Sequence, residues 1–205
     1  MLNSKHITAV ILAGGEGRRM QGADKGLISL WGQPLVAHLL SRLSKQVASI
    51  IINANRNHCA YQQYAPVISD TVADFAGPLA GFEAGLSAAP SEWVLFVPCD
   101  SPLVPADLAQ RLCNAVTHSC QIAVVDDGQR IHAATVLLHR SLLPSLRDYL
   151  SGGDRKLQLW FAQHELIKVD FSDQVAAFTN LNTPEALAQL EQTPLQGSAL
   201  PFLYE

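Results

Sequence analysis

The stretch Ile7-Thr8-Ala9-Val10-Ile11-Leu12-Ala13, which runs straight into Gly14-Gly15, decides how the rest of the chain is read. An unbroken run of β-branched and aliphatic residues has no polar face to turn to water, so it predicts a strand covered on both sides, as in a parallel sheet. The pattern returns outward from it. Residues 48–53 (ASIIIN), 66–70 (PVISD), 93–98 (WVLFVP), 122–126, 133–139 and 166–171 read as further strands. In residues 34–47, Leu35, Val36, Leu39, Leu40, Leu43 and Val47 recur at helical spacing while Arg42 and Lys45 fall opposite. Residues 77–89, 105–118, 142–150 and 155–164 also predict helices, with Pro105 in the first turn of the second and Asp107 complementing its dipole. A last helix starts at Thr183-Pro184-Glu185, which supplies an N-cap, a first helical position and an acidic first turn.

Buried strands alternating with helices dictate an α/β fold, a Rossmann-like three-layer sandwich with a mostly parallel central sheet. The 205 residues fit one domain, given a prior of about 150 per domain. Residues 1–191 are expected to form it. Residues 192–205, which mix Pro, Gly and Ser with Leu200, Phe202 and Leu203, are expected to be a tail that docks or stays loose. A hydrophobic content of 48% excludes disorder and collagen. The net charge of −4, from 14 Lys+Arg and 18 Asp+Glu, gives no general field for nucleic acid, so a polyanion must be held locally. Cys59, Cys99, Cys113 and Cys120 form no C-x-x-C pair and have no zinc-like spacing to histidine, which favours reduced thiols and a cytoplasmic protein. No run approaches the roughly 20 apolar residues that span a bilayer. Glu16, Arg18 and Arg19 follow the first apolar run where a signal peptide would have small residues.

In sheets of this kind ligands bind beyond the carboxyl ends of the strands, and the sequence sets Gly14-Gly15, Asn53, Asp70 and Asp100 there. The richest segment is Leu12-Ala13-Gly14-Gly15-Glu16-Gly17-Arg18-Arg19-Met20, followed by Asp24-Lys25. Its glycines let the backbone approach a ligand closely and present N–H groups, and Arg18 and Lys25 supply the cations a polyphosphate needs. It is not a Walker A loop, because Ala23-Asp24-Lys25 replaces the Lys-Ser/Thr step. Nor is it a dinucleotide fingerprint, since Met20 stands where the third glycine belongs. The competing reading is a tight strand-to-helix turn with incidental arginines. Asp100 and Asp70 are either ligand-facing carboxylates or turn caps, and Asn53 reads a base or ribose or satisfies the strand end. Gly77 and Gly81 bracket a loop before a helix. The histidines other than His132 are scattered without ligand spacing and read as surface residues.

Taken together, L-A-G-G-x-G-R-R-M at residues 12–20 with Lys25, Asn53-Ala54-Asn55-Arg56, Gly77-Pro78-Leu79-Ala80-Gly81, Pro98-Cys99-Asp100-Ser101-Pro102 and Asn180-Leu181-Asn182-Thr183-Pro184 resemble the molybdenum cofactor guanylyltransferases, within the wider nucleotidyltransferases. The order and spacing agree over almost the whole chain, the tail excepted. The resemblance implies GTP contacts at Leu12, Ala13, Gly14, Gly15, Gly17, Lys25, Asn53, Asp70, Gly77, Gly81 and Asp100, with Mg²⁺ on Asp100 as cofactor. It implies catalytic roles for Arg18, Lys25 and Asp100. It also implies pterin contacts at Asn180 and Asn182, which alternate along an extended segment, and at Arg155, which would meet the pterin phosphate. His132 stands where related enzymes carry His-Pro, but here Ala133 follows, which leaves its role open.

The implied reaction moves GMP from GTP to the terminal phosphate of Mo-molybdopterin and releases pyrophosphate. A phosphomonoester with a second pKa of about 6 is largely dianionic at neutral pH and needs no general base. The implied partners are GTP and Mo-molybdopterin as substrates and, transiently, molybdoenzyme maturation proteins, with no nucleic acid and no membrane, in a monomer or weak oligomer. Two alternatives stay open: a nucleotidyltransferase for another acceptor, a sugar or polyol phosphate, and a noncatalytic GTP-binding maturation module.

Overall fold

In chain order the protein forms β1 (Thr8–Leu12), β2 (Ser29–Leu30), β3 (Gln33–Pro34), α1 (Leu35–Leu43), β4 (Ser49–Asn53), α2 (His58–Tyr61), β5 (Val67–Ile68), α3 (Pro78–Ala88), β6 (Trp93–Pro98), α4 (Leu108–Ala115), β7 (Ile122–Asp126), β8 (Ile131–His139), α5 (Leu143–Ser151), α6 (Leu157–Phe161), β9 (Leu166–Asp170) and α7 (Pro184–Glu191). These elements come from a computed structural model that describes residues 2–15, 24–71, 77–117 and 119–192. The Gly17–Arg18 part of the glycine-rich segment and residues 193–205 of the expected tail lie outside the described residues.

The main sheet has the order β5-β4-β1-β6-β8-β7-β9. β1 is central and pairs in parallel with both β4 and β6. Its side chains alternate between two apolar layers, as a strand covered on both faces requires. Ala9 and Ile11 pack with Val36, Leu39 and Leu43 of α1 and Leu108 and Leu112 of α4. Val10 packs on the opposite face with Phe82 and Leu86 of α3, Leu146 of α5 and Trp160 of α6. Each fully buried leucine or phenylalanine contributes about 1.5–3 kcal/mol of transfer free energy, so the two layers fix the three-layer sandwich expected from the sequence. No helix among the described residues is long and apolar enough to cross a membrane.

From β1 the chain moves outward through β4 and β5, then returns through α3 to β6 on the other side of β1. The connections leaving β1 and β6 therefore diverge, and a crevice opens at their carboxyl ends. Beyond β6 one strand is reversed: β8 is antiparallel to both β6 and β7. The connection 127–130 is too short for a crossover, and a link of that length can join only antiparallel neighbours. Asp127 shapes it by accepting the N–H groups of Gln129 and Arg130 at 2.9 and 2.8 Å. Because β8 runs backwards, its first residues lie at the edge where the other strands end.

The structure corrects several boundaries. The helix expected over 34–47 starts one residue later, because Pro34 belongs to a two-residue hairpin with Trp31 and Gly32 at φ 49° and 79°. The helix expected at Pro105 begins at Leu108. The buried side chain of Gln46 donates to the Pro105 carbonyl and accepts from Ala109 N–H, both at 2.9 Å, and so caps this helix from outside it. The helix expected over 155–164 contracts to Leu157–Phe161, and the strand expected to start at 133 starts at Ile131. Thr183 caps α7 as expected, accepting from Ala186 N–H at 3.2 Å. Leu181 and the α7 residues Leu187 and Leu190 pack on Leu30 and Leu35, which anchors the C-terminal segment beside the sheet edge.

Candidate functional site

Leu12 ends β1, Asn53 ends β4 and Pro98 ends β6, and the register sets Leu12 between the other two. The pairing continues one residue further, from Ala13 N–H to Asn53 O (2.8 Å) and from Cys99 N–H to Leu12 O (3.0 Å). Beside these ends lies a cleft of about 290 Å³ lined by Leu12, Gly14, Gly15, Asn53, Asp70, Gly77, Pro78, Gly81, Pro98 and Ala134. Seven sequence-selected residues thus meet on one wall. Ala13 differs: its side chain is buried in the core, so it offers only backbone.

The cleft is held open by small residues. Gly77 has φ 64°, a left-handed conformation that turns the chain into α3 without strain only when no β-carbon is present. A β-carbon on Gly81 would lie 2.6 Å from the Leu12 side chain and 2.7 Å from Asn53 Oδ1, so any side chain here would displace the two side chains that end β1 and β4 in the cleft. Asp70 is fixed by two asparagines. Asn53 Nδ2 donates to one carboxylate oxygen (2.9 Å), Asn55 Nδ2 donates to the other (2.7 Å), and Asp70 N–H donates to Asn55 Oδ1 (2.9 Å). Each oxygen keeps acceptor capacity for a hydroxyl or N–H donor of a ligand. On the far side of α3 the buried Glu83 carboxylate accepts from Thr71, Ser87 and Arg147. Burial alone would push its pKa up, but these hydrogen bonds and the Arg147 charge hold it below the ordinary value. Thr71 follows Asp70, so this contact ties the carboxylate wall to α3.

At the end of β6, Asp100 meets Lys25 at 3.3 Å, and Lys25 Nζ also donates to Asn182 Oδ1 at 2.5 Å. Leu181 N–H donates to the Asp100 carbonyl (2.8 Å), and Ser101 Oγ donates to Asn180 Oδ1 (2.9 Å). The two asparagines do not follow an extended strand, because Asn182 N–H donates to Asn180 O in a tight turn. The Asn180 amide nevertheless reaches the Asp100 turn through Ser101, and the Asn182 amide meets Lys25, the partner of Asp100. The other Asp100 oxygen, Oδ1, is buried and has no hydrogen-bond partner among the described residues. A carboxylate oxygen left in that state is costly unless a cation or donor completes it. Asp24, next to Lys25, is gripped by the Tyr61 hydroxyl, by Asn57 Nδ2 (2.9 Å) and by Arg56 (3.6 Å). Burial, then the bond to Asp24, pushes the Tyr61 phenol well above its ordinary range, so it remains a neutral donor. Cys99 is buried and its thiol is likewise driven up, which leaves it unreactive.

A smaller cleft of about 200 Å³ adjoins the first, sharing Pro98 and Ala134 as walls and adding Arg130, His132, Thr135 and Asn180. Arg155 lines neither cleft. Its guanidinium donates to the carbonyls of Leu150 and Asp154, both at 2.8 Å, and closes the loop after α5. The sequence reading missed Asn55, Asp24, Ser101 and Asp127. Asn55 sat inside a recognised segment and Asp24 beside a recognised lysine, whereas Asp127 was marked by the turn pair Asp127-Gly128 between two apolar runs.

The model of the MobA-like NTP transferase domain matches residues 9–168. A molybdenum cofactor guanylyltransferase of Vibrio cholerae is 52% identical over 180 residues, covering 88% of this chain and 89% of its own. One from Photobacterium profundum is 48% identical over 193 residues, 94% of this chain and 100% of its own. The chain belongs to the molybdenum cofactor guanylyltransferase family. The fold agrees with that of a solved protein, the molybdopterin-guanine dinucleotide biosynthesis protein A of Archaeoglobus fulgidus. The two superpose with a TM-score of 0.74 at 20% identity over 90% of this chain and 96% of that one. The guanylyltransferase relatives extend the match past residue 168 into the segment that carries Asn180 and Asn182.

Proposed function

We propose that the chain transfers GMP from GTP to the terminal phosphate of Mo-molybdopterin, forming the guanine dinucleotide cofactor and pyrophosphate. The observation that carries this reading is the Lys25–Asp100 pair, two residues past the Pro98 wall common to two adjoining clefts, in a chain half-identical to guanylyltransferases. In this reading the larger cleft takes the nucleotide. Asp70, oriented by Asn53 and Asn55, accepts hydrogen bonds from guanine N–H groups or ribose hydroxyls, and the Gly14-Gly15 amides and Lys25 meet the phosphates, with Gly17 and Arg18 of the same sequence motif as further phosphate contacts. Asn180 and Asn182 hold the pterin side.

An acceptor phosphate oxygen attacks the α-phosphorus of GTP, a P–O bond forms there, and the bond to the β-phosphate oxygen breaks with its electron pair leaving on pyrophosphate. The acceptor is already a dianion, so the side chains align the reactants and offset charge, with no base required. Asp100 has the hard oxygen chemistry for Mg²⁺, and its Oδ1, which has no partner among the described residues, fits such an ion. An ion held there by Asp100 would supply charge neutralisation. We further place the reaction in the cytoplasm, in a monomer or weak oligomer that passes its product to maturation proteins.

The test is pyrophosphate release by purified protein with Mg²⁺ and Mo-molybdopterin, with GTP, ATP, CTP or UTP as donor and the product checked by mass. Turnover with GTP alone and a product of guanine dinucleotide mass are expected. Turnover with CTP or UTP, or GTP binding without pyrophosphate, would overturn the proposal.

A further inference from the structure

The buried pair Asp127–His132 has no part in the transfer described above, yet it stands at the ligand edge because β8 runs backwards. His132 Nε2 is 2.6 Å from Asp127 Oδ2, with side-chain exposures of 7% and 4%. The bond from His132, with the N–H groups of Arg130 and Gln129, holds the Asp127 carboxyl down at about 2. An ionised carboxylate has no proton to share, so the proton in that contact belongs to Nε2. In the neutral ring, Nδ1 is then an acceptor. Among the described residues Nδ1 has no hydrogen-bond partner, while His132 lines the smaller cleft together with Asn180. The ring plane is set by Phe178, whose centroid is 5.0 Å away at 35°. One nitrogen is thus paired and the ring is packed, and the residue lines a cleft that abuts the glycine-lined one through Pro98 and Ala134.

We propose that His132, held in its Nε2–H tautomer by Asp127, is a binding residue for the acceptor substrate: Nδ1 takes a hydrogen bond from an N–H or O–H group of a heteroatom-rich ring lying beside Asn180. Asp127 is its positioning residue. The inference rests on the proposed guanylyl transfer only for the identity of that ring, a pterin.

Two substitutions separate this role from a merely structural one. His132→Gln keeps a donor where Nε2 stands and so keeps the Asp127 contact, but it removes the group at Nδ1. His132→Asn keeps an acceptor near Nδ1 and gives up the Asp127 contact. Binding of Mo-molybdopterin is read as molybdenum retained with the protein on ultrafiltration, alongside the Kd for GTP and the thermal midpoint. The expected result is that His132→Gln weakens retention about tenfold, the worth of one hydrogen bond, with GTP affinity and midpoint near wild type. His132→Asn is expected to stay within about threefold despite a lower midpoint. Wild-type retention by His132→Gln, or a loss in His132→Asn as large as in His132→Gln, would overturn the proposal. If the wild type retains Mo-molybdopterin but releases no pyrophosphate with GTP, guanylyl transfer fails as a reading while the same comparison still decides His132.

Discussion

On the β5-β4-β1-β6 side of the sheet every strand runs the same way, and Asn53 ends a strand while Gly14, Asp70 and Asp100 stand just beyond one. On the β8-β7-β9 side the reversed β8 brings residues 131–134 to that same edge from a strand's beginning, and the polar group that results is the Asp127–His132 pair. The two sides also satisfy their polar groups differently. Asp70 is oriented by two amides and remains open to a ligand, whereas Asp127 is saturated by its own turn and passes its influence on through an imidazole. Parallel pairing thus builds a cleft from separate strand ends, while a hairpin builds one from a single local unit.

The sharpest way to break this division is at Asp100, the carboxylate at the end of β6. Asp100→Ala is expected to lower pyrophosphate release about a thousandfold while shifting the thermal midpoint little, because Lys25 stays bound to Asn182. A fall in turnover matched by unfolding on circular dichroism would contradict that. Gly81→Val comes next. A β-carbon 2.6 Å from the Leu12 side chain and 2.7 Å from Asn53 Oδ1 must displace both, and an offset of about 1 Å in the Asn53 amide that orients Asp70 is expected to raise the KM for GTP on the order of a hundredfold. Mo-molybdopterin retention should hardly change, and steady-state kinetics with ultrafiltration test both halves of that statement. Asn55→Ala removes one of the two amides on Asp70 and should raise the GTP Kd about tenfold by titration calorimetry.

The smallest effect is on stability against pH. The Asp127 carboxyl titrates at about 2 in the folded chain against an ordinary 3.8, so its contribution is present above 3.8 and is lost as pH falls towards 2. Urea midpoints of wild type and Asp127→Asn should therefore differ near pH 5 and converge near pH 2. A gap that widens on acidification would mean the carboxyl is not held down.

The parallel side was legible because buried strands leave an unbroken apolar signature and the rule for strand ends then points to Asn53, Asp70 and Asp100. Leu12, Gly14, Gly15, Gly77 and Gly81 meet in one cleft for the same reason. What escaped were features that depend on long-range partners. The Gln46 cap on α4 joins residues 46 and 109, and no local pattern around Pro105 announces it. The grip of Tyr61 on Asp24 requires α2, a single turn too short to leave a period. The reversal of β8 was carried by Asp127-Gly128 alone. Reading polar residues only after apolar runs passed over His132, which precedes one. Arg155, implied by the resemblance as a contact of the pterin phosphate, instead donates to the carbonyls of Leu150 and Asp154 after α5, a local role that a sequence pattern does not separate from a ligand contact.

The most direct measurement is a crystal structure of the protein with a GTP analogue carrying a methylene bridge between the α- and β-phosphorus atoms. Guanine and ribose are expected against Asn53, Asp70 and Gly81, the phosphate chain at Lys25 and Asp100, and Lys25 drawn away from Asn182. An analogue seated instead on His132 and Asn180, with the glycine-lined cleft vacant, would contradict the division of the sheet into a nucleotide side and an acceptor side.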